Sequence, residues 1–154
     1  MPQLLPLLRR RYAHIARDLL APLLDTLIVG RHTCEGDLDK LLILLVVAMR
    51  TVEHKDIETY DLETVLNGLV DTYPSLTTNV RSIADSSGIP KESVRRKVAA
   101  LIEEGLIVRR GNHLALAPKA SRVLTAFREE LLQMAVRNHQ TITALLTPEP
   151  SQET

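Results

Sequence analysis

A chain of 154 residues with 45% hydrophobic content can bury a core of its own, and 3% aromatic content with Leu, Val, Ile and Ala dominant favours packed helices over a sheet sandwich. The shortage of rings also excludes the stacking platforms that single-stranded nucleic acid needs. Net charge is zero but unevenly spread: residues 75–127 carry 9 Lys+Arg against 4 Asp+Glu, residues 1–74 carry 8 against 11, and 128–154 carry 2 against 4. An acidic body with one basic face stays soluble while directing that face toward phosphates.

A lone cysteine, Cys34, forms no internal disulfide, and the apolar Leu4 to Leu8 precedes Arg9-Arg10-Arg11, the reverse of a secretory signal. The expected compartment is the cytoplasm. The longest apolar run, Leu41 to Met49, is nine residues, and a bilayer crossing needs about 20. A buried helix is expected there, with no membrane partner.

In chain order, Leu8, Tyr12, Ile15, Leu19, Leu23 and Leu27 recur at three- and four-residue steps and predict one amphipathic helix over about 4–29, kinked at Pro22. A polar link, Gly30 to Gly36, leads to a central helix over about 37–53, with Asp37 and Asp39 in its first turn where the helix dipole favours them. A third helix is predicted over 62–72, capped by Asp61 and ended by Tyr73-Pro74-Ser75. These elements form an amino-terminal helical part, residues 1–74.

Next, a short helix with Val80, Ile83 and Ala84 inward breaks at Gly88, where a left-handed turn is cheap for glycine. Pro90 suits the start of the next helix, about 90–104, whose stripe Val94, Val98, Leu101 and Ile102 has buried-face spacing. Gly105 closes it. Leu106 to Arg110, a turn at Gly111-Asn112, and His113 to Leu116 predict a β-hairpin with a small basic tip. From Pro118 a long helix is predicted to about Leu146, followed by a flexible tail, 148–154. Ala120, Leu124, Phe127, Leu131, Met134, Asn138, Thr141 and Leu145 follow a heptad pattern with Asn138 on the seam. Two readings fit: a dimerisation helix, to which Leu8 and Tyr12 of the first helix would contribute, or packing against the first helix of the same chain. The whole is expected to be one structural domain: residues 75–117 between the amino-terminal part and the carboxy-terminal helix, 118–147.

The stretch from Ser82 to Pro118 resembles the winged helix-turn-helix transcription regulators, most nearly the MarR-like ones. The resemblance rests on Ala84 and Gly88 in the first helix and turn, on Leu101, Gly105, Leu106 and Ile107 before the hairpin, and on Leu116, Pro118 and Lys119 after it. It covers about a quarter of the chain and implies a mainly α fold: a winged helix-turn-helix with a small β-hairpin wing, flanked by amino- and carboxy-terminal dimerisation helices. It further implies a homodimer on double-stranded DNA and a small-molecule effector held between the dimerisation helices and the winged domain.

Read from the residues alone, a 100° step places Glu92, Ser93, Arg96 and Ala100 opposite the apolar stripe, with Arg95 and Lys97 on the flanks. Arg96 can bond a guanine edge bidentately, Ser93 and Glu92 can reach bases or phosphate, and Ala100 permits close approach. Lys91, Arg95 and Lys97 are expected on phosphates, and Arg109, Arg110 and His113 of the wing on backbone or the minor groove. His14, His32, His54, His113 and His139 lack metal-ligand spacing, and there is neither a phosphate-cradling glycine loop nor a nucleophilic triad to favour. The sequence therefore predicts no enzyme, no cofactor and no metal. Cysteine sensing, which some MarR-like regulators use, finds no resolving thiol in this chain, so Cys34 is read as a small loop residue. Two functions stay open: a dimeric transcription regulator, and a winged-helix adaptor whose basic face binds an acidic protein.

Overall fold

The computed structural model describes residues 3–147; the expected tail lies outside them. It is mainly helical, with one two-stranded antiparallel sheet. No helix of the described residues is long and apolar enough to cross a membrane. Contacts divide the chain into two compact units, residues 30–126 and residues 1–29 with 127–154, where the sequence reading draws boundaries after 74 and 117 inside one domain.

Unit 30–126 is built around α2 (Leu38–Val52), whose apolar run leaves Ile43, Leu44 and Val47 fully buried. Each such side chain contributes roughly 1.5–3 kcal/mol of burial. Asp37 starts the helix, its carboxylate accepting the Lys40 backbone N–H at 3.1 Å. A 3-10 helix (Lys55–Thr59) follows, and then α3 (Leu62–Leu66) under its Asp61 cap. The predicted helix to residue 72 stops early. Its end is a Schellman motif: Gly68 N–H bonds Val65 O at 3.2 Å and Leu69 N–H bonds Thr64 O at 2.9 Å, with Gly68 at φ +64°. The Asn67-Gly68 pair is what outweighs the apolar periodicity.

Two helices then pack on α2: α4 (Val80–Ser87), opened by a reciprocal capping box between Asn79 and Ser82, and α5 (Lys91–Glu103). Between them Gly88 is left-handed, at φ +73°, and Ile89 turns back into the core. Strands β1 (Ile107–Arg110) and β2 (His113–Leu116) pair from Ile107–Leu116 to Arg110–His113 around the Gly111-Asn112 turn. One contact has no local sequence signal: Leu114 N–H donates to Thr78 O at 2.8 Å, so the segment before α4 lies along the free edge of β2.

The long helix predicted from Pro118 is interrupted: α6 (Pro118–Val123) ends at Leu124, and α7 runs Thr125–Leu146. The Thr125 hydroxyl bonds the Ser121 carbonyl at 3.2 Å at this junction. α6 is fixed to the end of α3, its Arg122 reaching Gly68 O at 3.3 Å and Asn67 O at 3.4 Å. Beside it the buried Tyr73 hydroxyl donates to Val65 O at 2.7 Å and lies 2.6 Å from Ser121 Oγ.

The other unit pairs α1 (Leu4–Thr33), as far as Val29, with α7 from Phe127 onward. Helix α1 continues through Pro22 and on through Gly30, so the expected link shrinks to the turn around Cys34–Gly36. Arg137 bonds Asp25 at 2.9 Å, and the Thr26 hydroxyl meets Met134 Sδ at 3.6 Å. Packing of the last helix against the first within one chain is thus present.

Candidate nucleic-acid interface

The basic side chains singled out above come from α5 and the hairpin, both mounted in unit 30–126. Val94, Val98 and Leu101 are buried, which turns the opposite side of α5 to solvent. Lys91, Glu92, Arg95, Arg96, Ala99 and Glu103 are the exposed residues of the helix, while Ser93 and Ala100 are half-buried. The outer face therefore centres on Arg95, Arg96 and Ala99, about one residue round from the sequence expectation. Ala99, and not Ala100, is the small residue on that face. Arg95 pairs with Glu92 at 3.2 Å across one turn, an exposed contact worth a few tenths of a kcal/mol.

Lys97 is elsewhere. Its ammonium bonds the Asp37 carboxylate and lies 3.6 Å from Asp39, and its side chain is only 16% exposed. A second tether joins the same two helices, Lys40 to Glu104, and Lys119 Nζ donates to the Glu104 carbonyl at 2.8 Å. Burial opposes ionisation of Asp37, but the Lys97 hydrogen bond and the Lys40 N–H outweigh it and hold its pKa below the ordinary carboxylate value. The Glu104 carboxylate raises Lys40 against a smaller effect of burial. Asp37 thus adds stability above its unfolded pKa, about 3.9, lost as pH falls through the lower folded value; Lys40 adds stability below about 10.4, lost as pH rises through the raised one.

On the hairpin, Arg109 and His113 are exposed, and Arg110 donates to the Tyr73 carbonyl at 3.3 Å, which ties it to the body. Of the expected DNA contacts the structure gathers Lys91, Glu92, Arg95 and Arg96 on one open face of α5, with Ser93 at its margin. It turns Lys97 inward. The Lys97 pairing was not legible in sequence because its acceptor lies 60 positions away.

The residues expected at a dimer seam divide likewise. Leu124 and Phe127 are buried within the chain, Leu8 and Met134 are half-buried, and Tyr12 and Leu131 are exposed. Asn138 is half-buried, its Oδ1 without a hydrogen-bond partner among the described residues.

Cys34 is buried, and burial first of all pushes its thiol up to about 11 from 9.0. A two-unit rise leaves about a hundredfold less thiolate at neutral pH than in a free thiol. A disulfide reagent at pH 7.5 is therefore expected to react at least that much more slowly with native protein than with unfolded protein. Equal rates would show an accessible thiol. Among the described residues no cluster of His, Cys, Asp or Glu is arranged to hold a metal ion.

The chain has no significant match to a family model, to a curated protein or to a solved structure.

Proposed function

We propose that the protein is a sequence-specific, double-stranded DNA-binding transcription regulator of winged helix-turn-helix type, acting in the cytoplasm as a homodimer. The observation that carries this reading is the exposed face of α5, where Lys91, Arg95 and Arg96 stand beside the small Ala99. A protruding basic helix with a small residue at its centre suits the major groove, and the two preceding features, the Gly88 turn and α4, are the mount such a helix uses. Arg109 and His113 extend the same basic character onto the hairpin.

The dimer is supported by apolar side chains left in solvent on the terminal helices: Leu5, Tyr12, Leu20 and Leu24 of α1, and Leu132 and Val136 of α7. Such a run of exposed apolar residues is uncommon on a monomer surface. Two copies of α5 about one helical turn apart, roughly 34 Å, would read a near-palindromic site.

The test is selection of bound duplexes from a randomised library, then titration of the selected site and of random DNA. Arg96→Ala is expected to cost about 1–3 kcal/mol on the selected site and much less on random DNA, while Arg95→Ala weakens both alike. Equal losses from both changes on both duplexes would refute that division of roles. If no duplex is retained, the protein-adaptor reading takes its place.

A further inference from the structure

We propose that Asp37 is an intramolecular stand-in for a DNA phosphate: it holds Lys97 against α2 and withholds one cation from the DNA-facing side of α5. The inference rests on the DNA-binding reading above and concerns what limits sequence-independent binding at that site.

Lys97 lies one 100° step round α5 from Arg96, at the margin between the half-buried Ser93 and the buried Leu101, with a flexible four-carbon stem. Its ammonium nevertheless lies on Asp37 with Asp39 at 3.6 Å, and its side chain is 16% exposed where that of Arg95 is 63%. A lysine head is a compact charge on a flexible stem and exchanges one oxyanion for another without a fixed geometry. Asp37 is less free. It caps α2 through the Lys40 N–H and so presents its carboxylate from a fixed place. Phosphate contacts add affinity without sequence information. Occupying Lys97 internally therefore lowers binding to all duplexes equally and leaves discrimination to Arg96.

Two features make this separable from a structural role. Asn caps a helix about as well as Asp, so Asp37→Asn removes the charge and keeps the cap. The Lys40–Glu104 tether still joins α2 to α5 in that variant.

The experiment measures affinity for a short random-sequence duplex as a function of salt, for the wild type, Asp37→Asn, Lys97→Ala, the double variant and Glu58→Gln. Glu58 is exposed in the 3-10 helix away from α5, and its change matches the charge difference without releasing Lys97. One added phosphate contact steepens the log–log salt slope by about 0.9, so Asp37→Asn is expected to lose about 3.5-fold more affinity than wild type between about 50 and 200 mM salt. Lys97→Ala leaves the wild-type slope unchanged and abolishes the gain in the Asp37→Asn background; Glu58→Gln leaves the slope unchanged. Circular dichroism confirms that each variant is folded at the assay temperature. A wild-type slope that falls by about one unit in Lys97→Ala, or an Asp37→Asn slope equal to wild type, overturns the proposal while DNA binding stands. A wild type that binds no duplex overturns the DNA reading, and this proposal with it.

Discussion

Gly68→Ala is expected to destabilise the protein by about 3 kcal/mol or more, lowering the melting midpoint by about 10 °C. Two costs combine. At φ +64° an L side chain is strained, a penalty of about 1–3 kcal/mol. A Cβ there would also sit 2.2 Å from the Pro118 carbonyl oxygen and 2.9 Å from both its carbon and an Arg122 guanidinium nitrogen. The arginine tip can move, but Pro118 opens α6 and its carbonyl cannot yield without shifting that helix from the end of α3. Gly88→Ala separates the two costs. Gly88 is left-handed as well, at φ +73°, but a Cβ there meets nothing within 4 Å. It should lose only the backbone strain, about 1 kcal/mol. Thermal melts of the two variants that fall together would show that the approach to Pro118 carries no energy.

The same glycine shows where sequence reading reaches its limit. Leu62, Val65, Leu66, Leu69 and Val70 have helical spacing, and periodicity alone carries the helix to residue 72. A left-handed Asn-Gly exit overrides it after one turn. Where periodicity and breaker agree, as at α4, Gly88 and α5, the expected and observed elements coincide within a residue or two. At Gly30 the reverse happens: a glycine expected to open a link is buried inside α1, because one glycine costs a helix only about 1 kcal/mol and packing exceeds that.

The candidate interface was legible as composition and only in part as geometry. The concentration of basic residues between 75 and 127 and the outward direction of Arg96 follow from spacing. The inward turn of Lys97, the anchoring of Arg110 on the Tyr73 carbonyl and the Thr78–Leu114 backbone bond join residues 36 to 60 positions apart. No local pattern encodes such pairs. The heptad pattern of the last helix leaves a dimer seam and packing within the chain both open; the helix is interrupted at Leu124, and Leu124 and Phe127 are buried within the chain, as the second reading has it. Any dimer contact is thereby shifted toward the outer face of α1.

Leu24→Glu is expected to convert the proposed dimer to a monomer and to abolish tight binding to a two-half-site duplex. Leu20, Leu23, Leu24 and Leu27 line one open apolar groove on α1 together with Ala13, Ala16 and Ala21. Leu24 is 57% exposed and Leu20 53%. The small alanines leave room for a second helix to approach closely. In a two-fold interface each substitution acts twice. Losing two leucine side chains from a buried contact costs about 3–6 kcal/mol, or about 100- to 20,000-fold in the dimer dissociation constant. Two glutamates facing each other across the axis add to that. Sedimentation equilibrium at micromolar concentration reads the change directly. Because Leu24 faces solvent within the chain, the helical circular dichroism spectrum of the variant should match wild type. Leu69→Glu supplies the control: Leu69 is 71% exposed in the other unit and lies outside the proposed seam. A Leu24→Glu protein that sediments as a dimer, or a Leu69→Glu protein that dissociates, would move the interface off α1. If Leu24→Glu is monomeric yet binds the two-half-site duplex as tightly as wild type, recognition does not require two copies of α5.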